Sequence, residues 1–178
     1  MSGHSKWSTI KHKKAANDKV KGSVFTKMAK AITVAVKKGG GIGDPEMNFA
    51  LRLAVDKARA VNMPKDNIER AIAKGMGKGE GEELVELLIE AFGPEGVMLM
   101  IEVVTDNRNR SVAELRNLIE KHGGRMGEPG SVAYAYERKD GEWVAKFVMS
   151  VSDQAKFEEF IEAVGEHEDV QEVYANVG

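Results

Sequence analysis

The stretch Gly75–Glu83, GMGKGEGEE, divides this 178-residue chain into halves of opposite character. Glycine is dense there and the sign of the charge flips, which marks a domain boundary. Residues 1–80 hold 17 Lys and Arg against 7 Asp and Glu, a balance of +10; residues 81–178 hold 9 against 21, a balance of -12. The net charge of -2 conceals this. A basic helical domain, 1–78, and an acidic α+β domain, 79–178, are expected on either side.

Upstream of the glycines the apolar period is helical. Phe25, Met28, Ala29, Ile32 and Val36 fall on one face of a helix, and Gly39–Gly41 close it. Asp44 and Pro45 suit the N-cap and first turn of a second helix that aligns Leu51, Val55 and Ala58. Pro64 opens a third, with Ile68, Ala71 and Ile72 apolar. Three helices with short breaks read as a small bundle. Downstream, two apolar runs flank Gly93–Gly96 as a hairpin. A helix over 110–121 aligns Val112, Leu115, Leu118 and Ile119. Two strands flank the Asp140-Gly141 turn signal. Asp153 caps a helix bearing Phe157, Phe160, Ile161 and Val164, and 170–177 is a last strand. The order ββαββαβ, with helices on one face, is an α+β fold.

The content of 42% apolar and 30% charged residues is that of a globular protein. The absence of cysteine excludes disulfides and thiolate chemistry and suits a reducing, cytoplasmic setting. No apolar run approaches the ~20 residues of a membrane span. No nucleophile–base motif, metal-protease motif or phosphate loop occurs, so no enzyme, cofactor, metal or small-molecule substrate is expected. The glycine clusters read as caps and linker. The acidic residues Glu82, Glu83, Glu86, Glu90, Glu158, Glu159, Glu162, Glu166, Glu168 and Asp169 read as a solvated face.

The first 22 residues carry the chemistry. Lys6, Lys11, Lys13, Lys14, Lys19 and Lys21 suit phosphate contact without sequence reading, and Trp7 and His4 suit stacking on unpaired bases. His12 belongs with them, because the His4–His12 spacing and the lack of nearby ligands argue against metal. A solvated tail is the alternative. A second site is TDNRNRS, Thr105–Ser111. Its Asp and Asn residues suit a helix cap, yet Arg108 and Arg110 sit at the positive end of the helix dipole, where they would create an anion site.

Several segments together resemble the YebC/PmpR family: MSGHSKWSTIKHKKAANDKVKG, FTKMAKAI, LRLAVDKARAVNMPKDNIERAIAKG, TDNRNRSVAELRNLIEKHGG and GEPGSVAY. The resemblance implies a helical N-terminal domain, α+β domains and no catalysis. It implies a nucleic-acid-binding regulator, with Gly3–Trp7, Lys11–Lys14 and Asp106–Arg110 matching the family's two signatures. Some members are described as DNA-binding transcriptional regulators; others resemble ribosome-associated translation factors that act at consecutive prolines. The partner favoured here is ribosomal RNA, with tRNA, and the alternative is promoter DNA. Family members are usually longer, with a third domain inserted in the second. Here a tight hairpin near 138–142 is expected in its place.

Overall fold

The computed structural model describes residues 5–7 and 18–178, the side chains of 5–7 and 18–21 excepted. Helix α1 (Asp18–Lys38) forms along the expected stripe and buries Met28, Ile32, Ala35 and Val36. Gly40 and Gly41 then take φ of 73° and 82°, a conformation that glycine adopts without a Cβ penalty. Helix α2 (Phe49–Ala60) buries Leu51, Val55 and Ala58. It begins later than expected. Asp44 to Met47 make an isolated turn, and the N-cap is Asn48. The physical reason is that Asn48 serves two helices. Its carbonyl accepts from the Leu51 amide at 3.1 Å, and its amide donates to the Ala35 and Ile42 carbonyls at 3.0 and 3.1 Å.

Helix α3 (Lys65–Gly75) starts after Pro64 and buries Ile68 and Ala71. Gly75 departs from the expectation of a linker glycine. It sits in the last turn of α3 against α1, where a Cβ would lie 2.8 Å from the Thr33 carbonyl oxygen. The Thr33 hydroxyl donates to the Ala71 carbonyl at 3.0 Å at the same crossing.

The acidic half forms a five-stranded antiparallel sheet in the order β1-β7-β3-β2-β4. Its strands are β1 (Ser5–Trp7), β2 (Val85–Phe92), β3 (Met98–Thr105), β4 (Arg125–Met126) and β7 (Val170–Ala175). Helices α4 (Arg108–Lys121) and α5 (Gln154–Gly165) cover one face. Leu115, Ile119, Phe157, Phe160 and Val164 pack there against Ile89, Leu99, Ile101 and Val173. Strands β5 (Tyr136–Lys139) and β6 (Glu142–Ala145) pair with each other as a separate two-stranded sheet, turning through Asp140 and Gly141 at positive φ. A second apolar cluster joins Tyr136 of this hairpin to Met100 and Tyr174 on the other face of the main sheet. The Tyr136 hydroxyl donates to the Met98 carbonyl at 2.7 Å.

The chain thus forms two compact units. One holds the helices through residue 84; the other holds residues 85–178 and takes in Ser5–Trp7. Those three residues were expected to belong to the basic helical domain. Among the described residues no helix is long and apolar enough to cross a membrane.

Two residues expected on the solvated acidic face are buried instead. Glu90 accepts from the amides of Gly130, Val132 and Ala133 at 2.6–2.7 Å. Burial alone would raise its carboxyl, but the three amides outweigh that and hold it below its ordinary value. Glu90 thereby fixes the loop leading to Tyr134. Asp169 is the other, and it belongs to the site described next.

Candidate nucleic-acid interface

The TDNRNRS segment is ordered by side chains closing on the end of β3. The Thr105 hydroxyl oxygen accepts from the Asn107 amide at 2.9 Å, and the Asn107 side chain accepts from the Arg110 amide at 3.0 Å. Asn107 is therefore the N-cap of α4. Ser111 and Arg110 then reach the fully buried Asp169, just before β7. Its Oδ2 accepts from the Ser111 hydroxyl at 2.5 Å and from the Arg110 Nη2 at 2.8 Å.

This splits the two arginines. Arg110 also faces Asp106 at 3.1 Å and Glu114 at 3.8 Å. The hydrogen bond to Asp169, more than any other contact, pushes its guanidinium pKa up. Its place at the helix N-terminus is balanced by carboxylates, and its charge is largely spent inside the protein. Arg108 is exposed and its side chain makes no hydrogen bond or ion pair among the described residues. Of the pair, it is the one left to meet an anion.

Glu114, His167 and Asp169 bring one ligand atom each within 4.8 Å of one another. The group is already satisfied. His167 Nδ1 accepts from the Asp169 amide at 3.1 Å, so its Nε2 carries the hydrogen that faces Glu114 at 3.0 Å. The Arg110 guanidinium already meets two of the three, Asp169 at 2.8 Å and Glu114 at 3.8 Å. The cluster therefore reads as an ion-pair network. Sequence reasoning missed it because Thr105, Ser111 and Asp169 meet only through the β3–α4–β7 arrangement.

Of the basic arm, His4, Lys11, His12, Lys13 and Lys14 lie outside the described residues. Lys19 and Lys21 fall in the first turn of α1. Lys6 and Trp7 lie in β1, opposite Tyr174 and Val173 of β7. This part of the arm is an edge strand. Burial, together with Glu102, Glu172 and Glu142 and against the opposing Arg138, pushes the Tyr174 phenol up.

The chain matches the model of the TACO1/YebC protein N-terminal domain over residues 5–78 and that of the TACO1/YebC second and third domain over residues 84–146. The chain belongs to the TACO1/YebC family. A relative in Trichlorobacter lovleyi is 51% identical over 178 residues, spanning 98% of this chain and 70% of that protein. One in Desulfitobacterium hafniense is 52% identical over 139 residues, 78% of this chain and 54% of its own length. Another in Chlorobaculum parvum is 53% identical over 153 residues, 86% of this chain and 60% of its own length. All three carry the name "Probable transcriptional regulatory protein". This TACO1/YebC chain thus spans 54% to 70% of the length of these curated relatives. The crystal structure of the conserved hypothetical protein Aq1575 from Aquifex aeolicus shares the fold. It has a TM-score of 0.79 and 30% identity, covering 97% of this chain and 96% of that one.

Proposed function

We propose that this TACO1/YebC chain is a non-enzymatic, nucleic-acid-binding regulator of gene expression that works as a ribosome-associated RNA-binding factor and relieves stalled translation, for example at consecutive prolines. The observation that carries the proposal is surplus positive charge. In the helical half the side chains of Arg52, Lys57, Lys74 and Lys78 make no ion pair or hydrogen bond among the described residues, and the lysine-rich arm precedes them. Cations left unsatisfied on one half, with acids concentrated on the other, suit a partner that is a polyanion.

Promoter DNA is the second reading, and two observations favour it. The relatives bear the name of transcriptional regulators, and α2 and α3 are joined by four residues, Val61–Pro64, the length of a helix-turn-helix connection. The side chains of α3 weigh against it. A recognition helix offers its first turns to base edges. Here Lys65 pairs with Glu69 at 3.5 Å, and Arg70 donates to Asn67 and to the Asp66 carbonyl. Those donors are answered within the helix, and Asp66 and Glu69 would face phosphates. On the RNA reading the action is positional: the helical unit docks on RNA, the arm reaches in, and the geometry of the stalled complex shifts.

The test is crosslinking of the protein to nucleic acid in cells, with sequencing of what is attached, beside a Lys11, Lys13 and Lys14→Glu variant. Reads concentrated on ribosomal RNA or tRNA and lost in the variant are expected. Enrichment at discrete promoters with ribosomal RNA at background would replace this reading with the DNA one.

A further inference from the structure

We infer that the outward face of α2 is a stacking platform for an unpaired RNA base, built by Phe49 and Arg52. The inference rests on the RNA reading above and adds a contact that the basic arm does not supply.

Helix α2 buries Leu51, Val55 and Ala58 on one side, so its opposite side should be polar. It is not. Phe49 is 65% exposed and Leu53, one turn on, is 47% exposed; Met47, just before the N-cap, is 73% exposed. The Arg52 guanidinium stands over the Phe49 ring, 5.3 Å from its centroid. Lys57 follows Leu53 by one turn. The side chains of Arg52 and Lys57 make no hydrogen bond or ion pair among the described residues. The first turn of α2 holds no acid that would neutralise its positive end.

The chemistry of this face selects its occupant. Flat apolar surface flanked by free cations matches a ligand that joins flat rings to phosphates. A base stacks on an aromatic side chain or a guanidinium plane while its phosphate meets a neighbouring cation. The surrounding field has the right sign: residues 22–78 carry 11 Lys and Arg against 5 Asp and Glu, a surplus of +6 that does not depend on the arm. Arg52 is already held against the ring, so little ordering is needed on binding. Duplex nucleic acid, whose bases are already stacked, has no free base to offer.

The test is fluorescence anisotropy with a labelled single-stranded oligo(U) RNA and with a duplex RNA of the same length. The proteins compared are the parent chain, Phe49→Ala, Phe49→Tyr, Arg52→Glu and the Lys11, Lys13 and Lys14→Glu variant. Phe49→Ala is expected to weaken single-strand binding on the order of tenfold and to leave its salt dependence unchanged, since no charge is lost. Phe49→Tyr should bind like the parent. Arg52→Glu should weaken binding and flatten the salt dependence. Because Phe49 is exposed, thermal melting should not move. If melting does move, Arg52→Glu and Phe49→Tyr still decide the matter. Unchanged affinity in both Phe49→Ala and Arg52→Glu, with loss only in the arm variant, overturns the platform, leaves the RNA reading standing and gives the patch to a protein partner. Equal affinity for duplex and single strand also overturns it. Binding of neither RNA by the parent chain at low salt overturns both.

Discussion

Arg108 and Arg110 are two positions apart and face opposite demands. Arg110 neutralises a carboxylate with no access to water, so truncating it leaves a buried charge unpaired. Arg110→Ala is expected to cost about 3 kcal/mol or more and to lower the melting temperature by several degrees. Arg108→Ala should leave melting unchanged and weaken RNA binding only. A similar argument holds for Glu90. Gln in its place accepts poorly from three converging amides, and an expected loss of about 2–3 kcal/mol is checked by urea unfolding at neutral pH. The sign of the pH dependence follows from the lowered carboxyls. Glu95, which accepts from the Ser152 and Asp153 amides at the start of α5, is also held below its ordinary value, chiefly by those two bonds. A group with a depressed folded pKa stabilises above its unfolded value, about 4.3 for Glu. That contribution is lost as pH falls through the lower folded value. The stability gap between the parent and Glu90→Gln should therefore be full at pH 6–7, begin to shrink as pH falls toward about 4.3, and close only below the lowered folded value.

The helices were legible where a period of apolar residues met a terminator. Phe25 to Val36 closed by glycine, and Val112 to Ile119, each became the expected helix. The start of α2 was not legible, because Asp44-Pro45 and Asn48 both suit a cap. The choice fell to Asn48 because it also closes the end of α1. Gly75 is the same kind of case. In sequence it opens a linker, whereas in the structure it lets α3 approach α1. Gly75→Ala should force that crossing open and cost about 1–3 kcal/mol, read as a lower melting temperature. Gly77→Ala, in open space at a φ of 77°, pays only local backbone strain. Strand β1 carries no strand signature of its own. Pairing with β7 makes Ser5–Trp7 an element, and removal of residues 1–7 should speed hydrogen exchange of β7 amides.

For the whole molecule, charge segregation sets the behaviour toward polyanions. If the six arm lysines all meet phosphates, log affinity for single-stranded RNA should fall with log salt at a slope of roughly -4, and replacing Lys11, Lys13 and Lys14 by Glu should remove about half of it. A slope near zero in the parent would mean the lysines are solvated. The sequence by itself determined the order of the helices and of the longer strands, the division of charge and the family, because apolar periodicity, turn residues and long motifs are local properties of the chain. Only the tertiary structure decided what each charged side chain does. Glu90, Arg110 and Asp169 look like surface residues in a string of letters. Long-range contacts bury or pair them, while Arg52 and Arg108, no different in kind, are left facing solvent. A charge is worth little beside water and much away from it, and distance from water is set by neighbours that the local sequence does not name.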